Sequence, residues 1–276
     1  MSRQQELAET APLPCGERLD AATPLRLSRR GSRGASARVI GLSSTQGLFV
    51  VFEGIDGTGK STQVRLLAEA LERLGESPVV SCEPTHGPWG QRIRDSAASG
   101  RMSPREELAA FLEDRTEHVE KLIRPALAQG RIVILDRYFY SSVAYQGARV
   151  GDPEGVLREM ESRFPIPDAI FLLDLDPMLA IRRIAECRGE DPNEFEGAEN
   201  LLQSRAIFLS LREPKIVVVD ATQSVPAVHR VVLKAFLDGP LAERRTADTT
   251  GKWETLAERL YALERTLHSD SAGRTR

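Results

Sequence analysis

The chain of 276 residues is long enough for one large domain or two small ones. Hydrophobic residues make up 41% of it and charged residues 28%, which is ordinary for a soluble globular protein. The net charge of -3 gives no reason to expect a nucleic acid or an acidic membrane surface as a partner. The longest apolar runs, such as Ile132–Leu135 and Ile216–Val219, are too short to cross a bilayer and are typical of buried strands.

The N-terminal segment, residues 1–46, is rich in Arg, Ser, Gly, Ala and Pro and shows no sustained periodicity. It lacks the apolar core of a secretory signal. Acids are rare in organelle transit peptides, and this segment contains Glu6, Glu9, Glu17 and Asp20. We therefore predict a disordered extension.

The cysteines predict a reducing compartment. Cys15, Cys82 and Cys187 are an odd number at wide spacing, so they indicate neither a disulfide framework nor a zinc site. Such usage favours the cytoplasm.

Five short runs predict buried parallel strands, because they are continuous in Val, Ile, Leu and Phe rather than alternating with polar residues. They are Leu48–Phe52, Pro78–Cys82, Ile132–Asp136, Ala169–Leu173 and Ile216–Asp220. Helical patterns lie between them, over Ser61–Leu74, from Pro104 to about Gln129, and over Met178–Cys187, Ala198–Leu211 and Pro226–Leu237. Strands that alternate with helices predict a three-layer α/β fold, in which helices cover both faces of a five-stranded parallel sheet.

A second boundary is predicted near Asp238–Gly239–Pro240, which leaves one folded domain over residues 47–238 and a charged tail over 239–276. The tail contains an amphipathic helix with Leu256, Leu260, Leu263 and Leu267 on one face. We expect this face to pack back on the domain. A partner chain or a loose tail are the alternatives.

The clearest motif is Gly54-Ile55-Asp56-Gly57-Thr58-Gly59-Lys60-Ser61, which fits G-x-x-x-x-G-K-[ST] at every defined position. Its glycines allow successive N–H groups to curl around phosphate oxygens, and the following helix adds positive charge from its N-terminus. Lys60 is expected to reach the β- and γ-phosphates, and Ser61 to bind Mg²⁺. Together with Thr62, these residues form the predicted ATP site. A glycine turn without function is the alternative, which the flanking strand and helix disfavour.

A phosphate loop alone does not identify the phosphate acceptor, because GTPases, ATPases and small kinases share it. The chain contains no N-K-x-D run for reading guanine. An ATP-driven motor would usually need a longer chain. A small-molecule kinase needs a second pocket that holds an acceptor phosphate and reads a base, and residues 109–147 contain candidates for it.

Four segments resemble the thymidylate kinase family, in the family's order: EGIDGTGKST, FLEDRTEHVEKLIRPAL, DRYFYSSVAYQG and VVDATQS. The resemblance extends from about Gly47 to Leu237. It implies a P-loop NTPase fold, a homodimer, and transfer of the γ-phosphoryl group of Mg-ATP to dTMP to give dTDP and ADP. A kinase of another nucleoside monophosphate or of a deoxynucleoside, and a regulator that binds nucleotide without phosphoryl transfer, are the alternatives.

The resemblance also implies the residues at the reacting phosphates. Asp56 would bind the 3′-OH of the acceptor, and Arg137 would contact the acceptor phosphate. Asp136 would lie near the metal and the phosphates, which makes it a metal ligand together with Ser61. The predicted catalytic residues are Lys60, Asp136, Arg137 and Arg188.

The base pocket is implied in the same way. Phe111 would stack on thymine, and Arg115, one turn later on the same helix face, would hydrogen-bond the base. Ser142 and Gln146 would line the pocket. Tyr145 would pack against C2′ and disfavour a ribose.

The sequence departs from the family in the loop after the second predicted strand. Cys82 stands where an R-E-P sequence would place an arginine for the acceptor phosphate. Arg92 or Arg94, on the following helix, are the expected substitutes.

A second departure concerns the segment expected to close over ATP, residues 182–196. Family members clamp the transferred phosphoryl group with an arginine, either from this segment or from the P-loop directly after its acid. Because Gly57 follows Asp56 here, the arginine is expected in the closing segment. Arg188 is the first candidate and Arg183 the second.

Overall fold

The computed structural model of the protein describes residues 47–188, 197–246 and 248–272, and for residues 98, 187, 188 and 266–272 it describes only the backbone. The predicted N-terminal extension over residues 1–46 lies outside this part of the chain. Within the described residues, no helix combines the length and the apolar character needed to cross a membrane.

Five parallel strands form one sheet in the order β2-β3-β1-β4-β5. The strands are β1 Leu48–Glu53, β2 Val79–Cys82, β3 Ile132–Asp136, β4 Ala169–Asp174 and β5 Ile216–Asp220. Each agrees with its predicted run to within one residue at either end. Since helices cover both faces of the sheet, the strands are apolar along most of their length, and this makes them recognisable from sequence. The predicted α/β fold is confirmed.

Nine helices surround the sheet in the described part of the chain. They are α1 Lys60–Glu72, α2 Pro88–Ser99, α3 over residues 104–128, α4 over 139–150, α5 Pro153–Arg163, α6 Pro177–Arg188, α7 Ala198–Ser210, α8 over 225–246 and α9 Lys252–Ala272. Three of them contain one π-helical segment each: α3 at Val119–Ile123, α4 at Val143–Gly147 and α8 at Leu237–Leu241.

A helix after the second strand was predicted without bounds, and α2 confirms it. The sequence patterns missed α4 and α5, and they ended α8 too early. Asp238–Gly239–Pro240 was expected to break the chain, yet α8 continues through these residues to Thr246. Pro240 lies inside the π-helical segment. A widened turn of this kind tolerates a proline, which lacks the N–H group and crowds the preceding turn of an ordinary α-helix.

The C-terminal helices lie at the amino ends of the strands. Arg244 in α8 pairs at 2.9 Å with Asp168, which precedes β4 and accepts a 2.8 Å hydrogen bond from Phe49 N. Lys252 Nζ, at the start of α9, donates at 2.8 Å to the carbonyl oxygen of Gly130, just before β3. In the apolar face of α9, the side chains of Trp253, Leu256, Ala257 and Leu260 are buried in the core.

We expect Leu260→Ala to lower the free energy of unfolding by about 2–5 kcal/mol, because it removes a fully buried side chain and leaves a cavity. Arg259→Ala, on the exposed face of the same helix, is the matched control and should change it by about 0.5 kcal/mol or less. Denaturant unfolding of both variants checks this. Equal effects would contradict the packing of α9 on the domain.

Candidate active site

The phosphate loop, residues 54–61, connects the carboxyl end of β1 to α1, and its path requires glycine. Gly54 has φ 135°, and a Cβ atom there would lie 2.4 Å from the carbonyl oxygen of Leu173. Gly57 has φ 81°, and its Cβ would lie 2.5 Å from the carbonyl oxygen of Ala180 in α6. The loop therefore fits closely between β4 and α6. Gly59 is the N-cap of α1, so the unpaired N–H groups of the first helical turn, around Ser61 and Thr62, face the loop.

Lys60 is buried inside this loop. Its Nζ donates at 2.8 Å to the carbonyl oxygen of Ile55, which also accepts from Thr58 Oγ1 at 2.9 Å. Burial, together with the nearby positive charge of Arg137, lowers the pKa of Lys60 to about 8. Asp56 and Asp136 oppose this shift. The lysine therefore stands as a poorly solvated cation where phosphate oxygens are expected.

Ser61 and Asp136 meet at the edge of the loop. Asp136 is the last residue of β3, and its Oδ2 accepts a 2.5 Å hydrogen bond from Ser61 Oγ. Its Oδ1 is buried and finds no hydrogen-bond partner among the described residues. A hydroxyl and a carboxylate are oxygen ligands of the kind that Mg²⁺ prefers, and the unpartnered Oδ1 keeps its capacity to accept such a contact. The two residues predicted to bind the metal, Ser61 and Asp136, therefore lie in contact.

Arg137 turns back over the phosphate loop. Its φ of 68° is the one left-handed value of a non-glycine residue in the described chain. Its guanidinium forms an ion pair with Asp56 and lies 5.4 Å from the ring centre of Tyr145. Its Nη1 also donates to Ser141 Oγ at 3.0 Å. The structure thus places Asp56, Arg137 and Tyr145, three residues predicted to bind the phosphate acceptor, near Lys60.

Glu53, which the sequence patterns did not single out, fixes this turn. Its buried carboxylate accepts from Tyr138 N at 2.8 Å, from Ser141 N at 3.2 Å and from Ser141 Oγ at 2.6 Å. Burial raises the pKa of Glu53 to about 7. An acid that ends an otherwise apolar buried strand is the signal that could have identified it.

The predicted base-pocket residues lie on two facing helices. In α3, Phe111 is half-buried, and Arg115 is almost fully buried at 1% exposure. In α4, Ser142 Oγ accepts from Arg115 Nη2 at 2.9 Å, and Gln146 Nε2 donates to Glu107 in α3 at 2.9 Å. The structure therefore brings Arg115 to Ser142 and Gln146 to Glu107, and Phe111 lies in α3 one turn before Arg115. The direct contact of Arg115 with a base stays a prediction.

A buried polar cluster behind this pocket also escaped the sequence patterns. Glu83 Oε2 accepts from Arg115 Nε at 2.8 Å, while its Oε1 lies 3.0 Å from His118 Nδ1. His118 Nε2 lies 2.9 Å from Ser81 Oγ. The bonded residues are separated by 32 to 37 positions in the chain, so no local pattern reveals the cluster.

The two proposed substitutes for the missing arginine are engaged elsewhere. Arg94 donates to the carbonyl oxygens of Pro84 and Thr85, at 3.0 and 2.5 Å, and so supports the loop after β2. Arg92 is exposed, and its guanidinium stacks 5.4 Å from the ring centre of Trp89. Burial raises the pKa of Cys82 to about 11, so its thiol carries no charge at neutral pH.

Of the two arginines proposed to clamp the phosphoryl group, Arg183 donates to the carbonyl oxygen of Ala221 at 3.0 Å. Arg188 ends α6, and its side chain and residues 189–196 lie outside the described residues. A third arginine was not predicted. Arg205 in α7 binds Asp174 through two hydrogen bonds of 2.7 and 2.9 Å, and the pair lines a small cavity against Gly54 and Ile55.

A phosphate loop with a buried lysine, beside an arginine that contacts an acid and an aromatic ring, is typical of P-loop kinases acting on small molecules. Comparison with known proteins narrows this class. The sequence profile of the thymidylate kinase family matches residues 52–232.

Three curated relatives agree with that match. The thymidylate kinase of Xanthomonas campestris pv. campestris (strain B100) is 50% identical over 196 residues, which cover 70% of this chain and 86% of that protein. The thymidylate kinase of Xylella fastidiosa (strain M12) is 50% identical over 192 residues, 70% of this chain and 88% of that protein. The thymidylate kinase of Xanthomonas oryzae pv. oryzae (strain PXO99A) is 47% identical over 207 residues, which cover 74% of this chain and 90% of that protein. The chain belongs to the thymidylate kinase family, and it is therefore an ATP-dependent phosphotransferase.

The lowered pKa of Lys60 predicts an early alkaline loss of ATP binding. Below pH 8 the free enzyme carries the charged lysine, and above about pH 8 it loses that charge, whereas an ordinary lysine would keep it to about pH 10. We expect kcat/KM for ATP, which reports the free enzyme, to fall towards tenfold per pH unit above about pH 8. Steady-state kinetics at saturating acceptor from pH 6.5 to 9.5 measure it. The value of kcat should fall less, since bound phosphates keep Lys60 protonated. A flat kcat/KM up to pH 9.5 would contradict the shift.

Proposed function

We propose that the enzyme transfers the γ-phosphoryl group of ATP to the 5′-phosphate of dTMP, giving dTDP and ADP. The observation that carries this proposal is the contact of Arg137 with Asp56 and with the ring of Tyr145, directly beside the buried Lys60. One cleft thereby offers separate cations to the donor phosphates and to an acceptor phosphate. The names of the three relatives support the same acceptor.

The transfer needs no covalent intermediate and no strong general base, because the acceptor phosphate is already an anion. Its oxygen attacks the γ-phosphorus while the bond to the β-phosphate oxygen breaks, and ADP leaves with that electron pair. Negative charge spreads over the transferring oxygens, so positioning and neutralising charge provide the catalysis. Lys60 holds the donor phosphates, and Arg137 aligns the acceptor phosphate.

We infer that Ser61 and Asp136 hold Mg²⁺ with ATP. The unpartnered buried Oδ1 of Asp136 and the adjacent hydroxyl of Ser61 support this. The described residues contain no cluster of three or more His, Cys, Asp or Glu side chains that could bind a metal by themselves. This agrees with an ion that takes its other ligands from phosphates and water. When bound, the ion neutralises charge on the β- and γ-phosphates.

The phosphoryl clamp is proposed to be Arg188. The phosphate loop has no room for an arginine after Asp56, since even a Cβ atom on Gly57 would meet the carbonyl oxygen of Ala180. Arg183 is already bonded to Ala221. The closure of residues 182–196 over ATP, which would exclude water from the reaction, stays a prediction, since residues 189–196 lie outside the described residues.

Two further proposals come from the family. The enzyme is proposed to act as a homodimer and to work in the cytoplasm. The three scattered cysteines, which suggest no disulfide framework, support the second proposal.

The acceptor is tested by measuring ADP release from Mg-ATP against dTMP, dUMP, UMP, dCMP, AMP, GMP and thymidine. We expect strong turnover with dTMP, weaker turnover with dUMP and negligible turnover with the ribonucleotides. The dTMP–dUMP difference rests on one methyl group, worth about 1–3 kcal/mol in an apolar pocket. A different best acceptor would contradict the proposed substrate. ATP binding without any acceptor turnover would favour a nucleotide-binding regulator.

Replacing Arg137 tests the assigned roles. We expect Arg137→Ala to lower kcat/KM for dTMP by at least about a hundredfold, since it removes a preorganised charge from the acceptor phosphate. Arg158→Ala, which removes an exposed arginine of α5, should leave the kinetics unchanged. Circular dichroism of both variants checks their folding. Normal turnover of a folded Arg137→Ala protein would refute the mechanism.

A further inference from the structure

Three neighbouring residues of α7, Ser204, Arg205 and Phe208, contact parts of the active site that belong to different substrates. Ser204 and Phe208 are buried, each with 2% of its surface exposed, and Arg205 is half-buried. Since a helix has 3.6 residues per turn, the three residues lie within little more than one turn of α7. We call them the α7 bridge.

Arg205 attaches the α7 bridge to the phosphate loop. Its guanidinium binds the carboxylate of Asp174 through two hydrogen bonds of 2.7 and 2.9 Å. Asp174 ends β4, and its carbonyl oxygen accepts from Ala221 N at 2.9 Å, so the backbone there is fixed by the sheet. The carbonyl oxygen of the preceding residue, Leu173, lies so close to Gly54 that a Cβ atom on this glycine would come within 2.4 Å of it. The ion pair therefore ties α7 to the strand end that supports the phosphate loop.

Ser204 and Phe208 attach the α7 bridge to the acceptor side. Ser204 Oγ donates at 3.4 Å to the carbonyl oxygen of Ala144 in α4. Phe208 meets the ring of the next residue, Tyr145, edge to face, with 6.3 Å between the ring centres and 80° between the ring planes. Arg137 lies against the same ring of Tyr145. Both contacts therefore hold the part of α4 that is proposed to bind the acceptor.

The pair of Arg205 and Asp174 has the geometry of a positioning contact. The two side chains are 32% and 24% exposed, and ion pairs that reach the solvent usually contribute little to stability. Two parallel hydrogen bonds between a guanidinium and a carboxylate nevertheless fix both the distance and the angle between the groups. Loss of this pair should therefore change the position of α7 more than the stability of the fold.

We propose that the α7 bridge sets the distance between the donor phosphates and the acceptor, with Arg205 and Phe208 as positioning residues for phosphoryl transfer. The proposal rests on the proposed function. The reacting atoms have to come within about 3–3.5 Å of each other, and a displacement of about 1 Å can cost on the order of a hundredfold in rate. The two substrates bind to different elements, the loop after β1 and the helix α4. One turn of α7 that contacts both sides keeps them at a fixed distance.

The test uses a ligand of fixed length, adenosine and thymidine joined 5′ to 5′ through five phosphates, which occupies both sites at once. Arg205→Ala should lower the affinity of the full-length protein for this linked ligand at least about tenfold, because a shifted α7 changes the span that the linker has to match. The affinities for ADP and for dTMP, measured separately, should stay close to the wild-type values. Isothermal titration calorimetry measures all three, and circular dichroism checks folding.

Steady-state kinetics provide a second readout that a merely structural role would not move. Arg205→Ala should lower kcat at least about tenfold and leave both KM values near those of the wild type, since positioning acts on the chemical step. Arg205→Lys keeps the charge without the paired hydrogen bonds, so it should recover only part of the loss. Arg212→Ala, which removes an exposed arginine just after α7, is the matched control and should leave kcat and the affinity for the linked ligand unchanged.

Phe208→Leu tests the acceptor end of the α7 bridge independently of Arg205. It removes the ring that meets Tyr145 and keeps an apolar side chain in the core. It should weaken binding of the linked ligand more than its effects on ADP and dTMP together explain. If neither folded variant, Phe208→Leu or Arg205→Ala, shows this excess loss, the inference is wrong. If Phe208→Leu does not fold, Arg205→Ala decides alone.

This inference and the proposed function fail separately. Turnover of dTMP by the wild type, together with undiminished affinity of the variants for the linked ligand, would overturn only the inference. A different best acceptor would overturn the proposed substrate, and the same comparison with that nucleoside in place of thymidine would then decide the inference. Absence of turnover with every acceptor would overturn both.

Discussion

The active site depends on keeping two cations, Lys60 and Arg137, buried next to each other. Their repulsion and their loss of water both disfavour charge on Lys60, whose pKa falls accordingly. The carboxylates of Glu53, Asp56 and Asp136 surround the pair and oppose this effect. Phosphate groups supply further negative charge at the same place, so substrate binding offsets the repulsion between the two cations and their loss of water.

The sheet places these groups side by side. β1 and β3 are neighbouring parallel strands, and Phe52 lies opposite Asp136 in their register. The phosphate loop that leaves β1 and the Asp136–Arg137 pair that ends β3 must therefore emerge at the same edge. Carboxyl ends of parallel strands are where ligands bind in open α/β sheets. The separation of donor and acceptor cations thus follows from strand order, and the turn held by Glu53 then aims Arg137 at the loop.

What the sequence could predict is what is encoded locally. The buried strands are continuous apolar runs, and the phosphate loop has a fixed spacing, so both were found in their correct places. Glu53, Glu83 and Glu107 were missed because most of their partners lie 32 to 88 residues away, Arg101 being the exception at six residues before Glu107. An acid in a helix or at a strand end looks like a solvated residue until the fold brings its arginine or amide to it. The end of α8 was predicted wrongly because proline usually ends an α-helix. Here Pro240 lies in a π-helical turn, to which that local rule does not apply.

The C-terminal helices stabilise the domain at the end of the sheet opposite the phosphate loop. The matched family profile ends at residue 232, inside α8, whereas Arg244, Lys252 and α9 attach beyond it at the amino ends of the strands. The phosphate loop and the Asp136–Arg137 pair lie at the other end of the same strands. Substitutions in the C-terminal helices can therefore change the thermal tolerance of the domain without replacing a residue that contacts the phosphate loop.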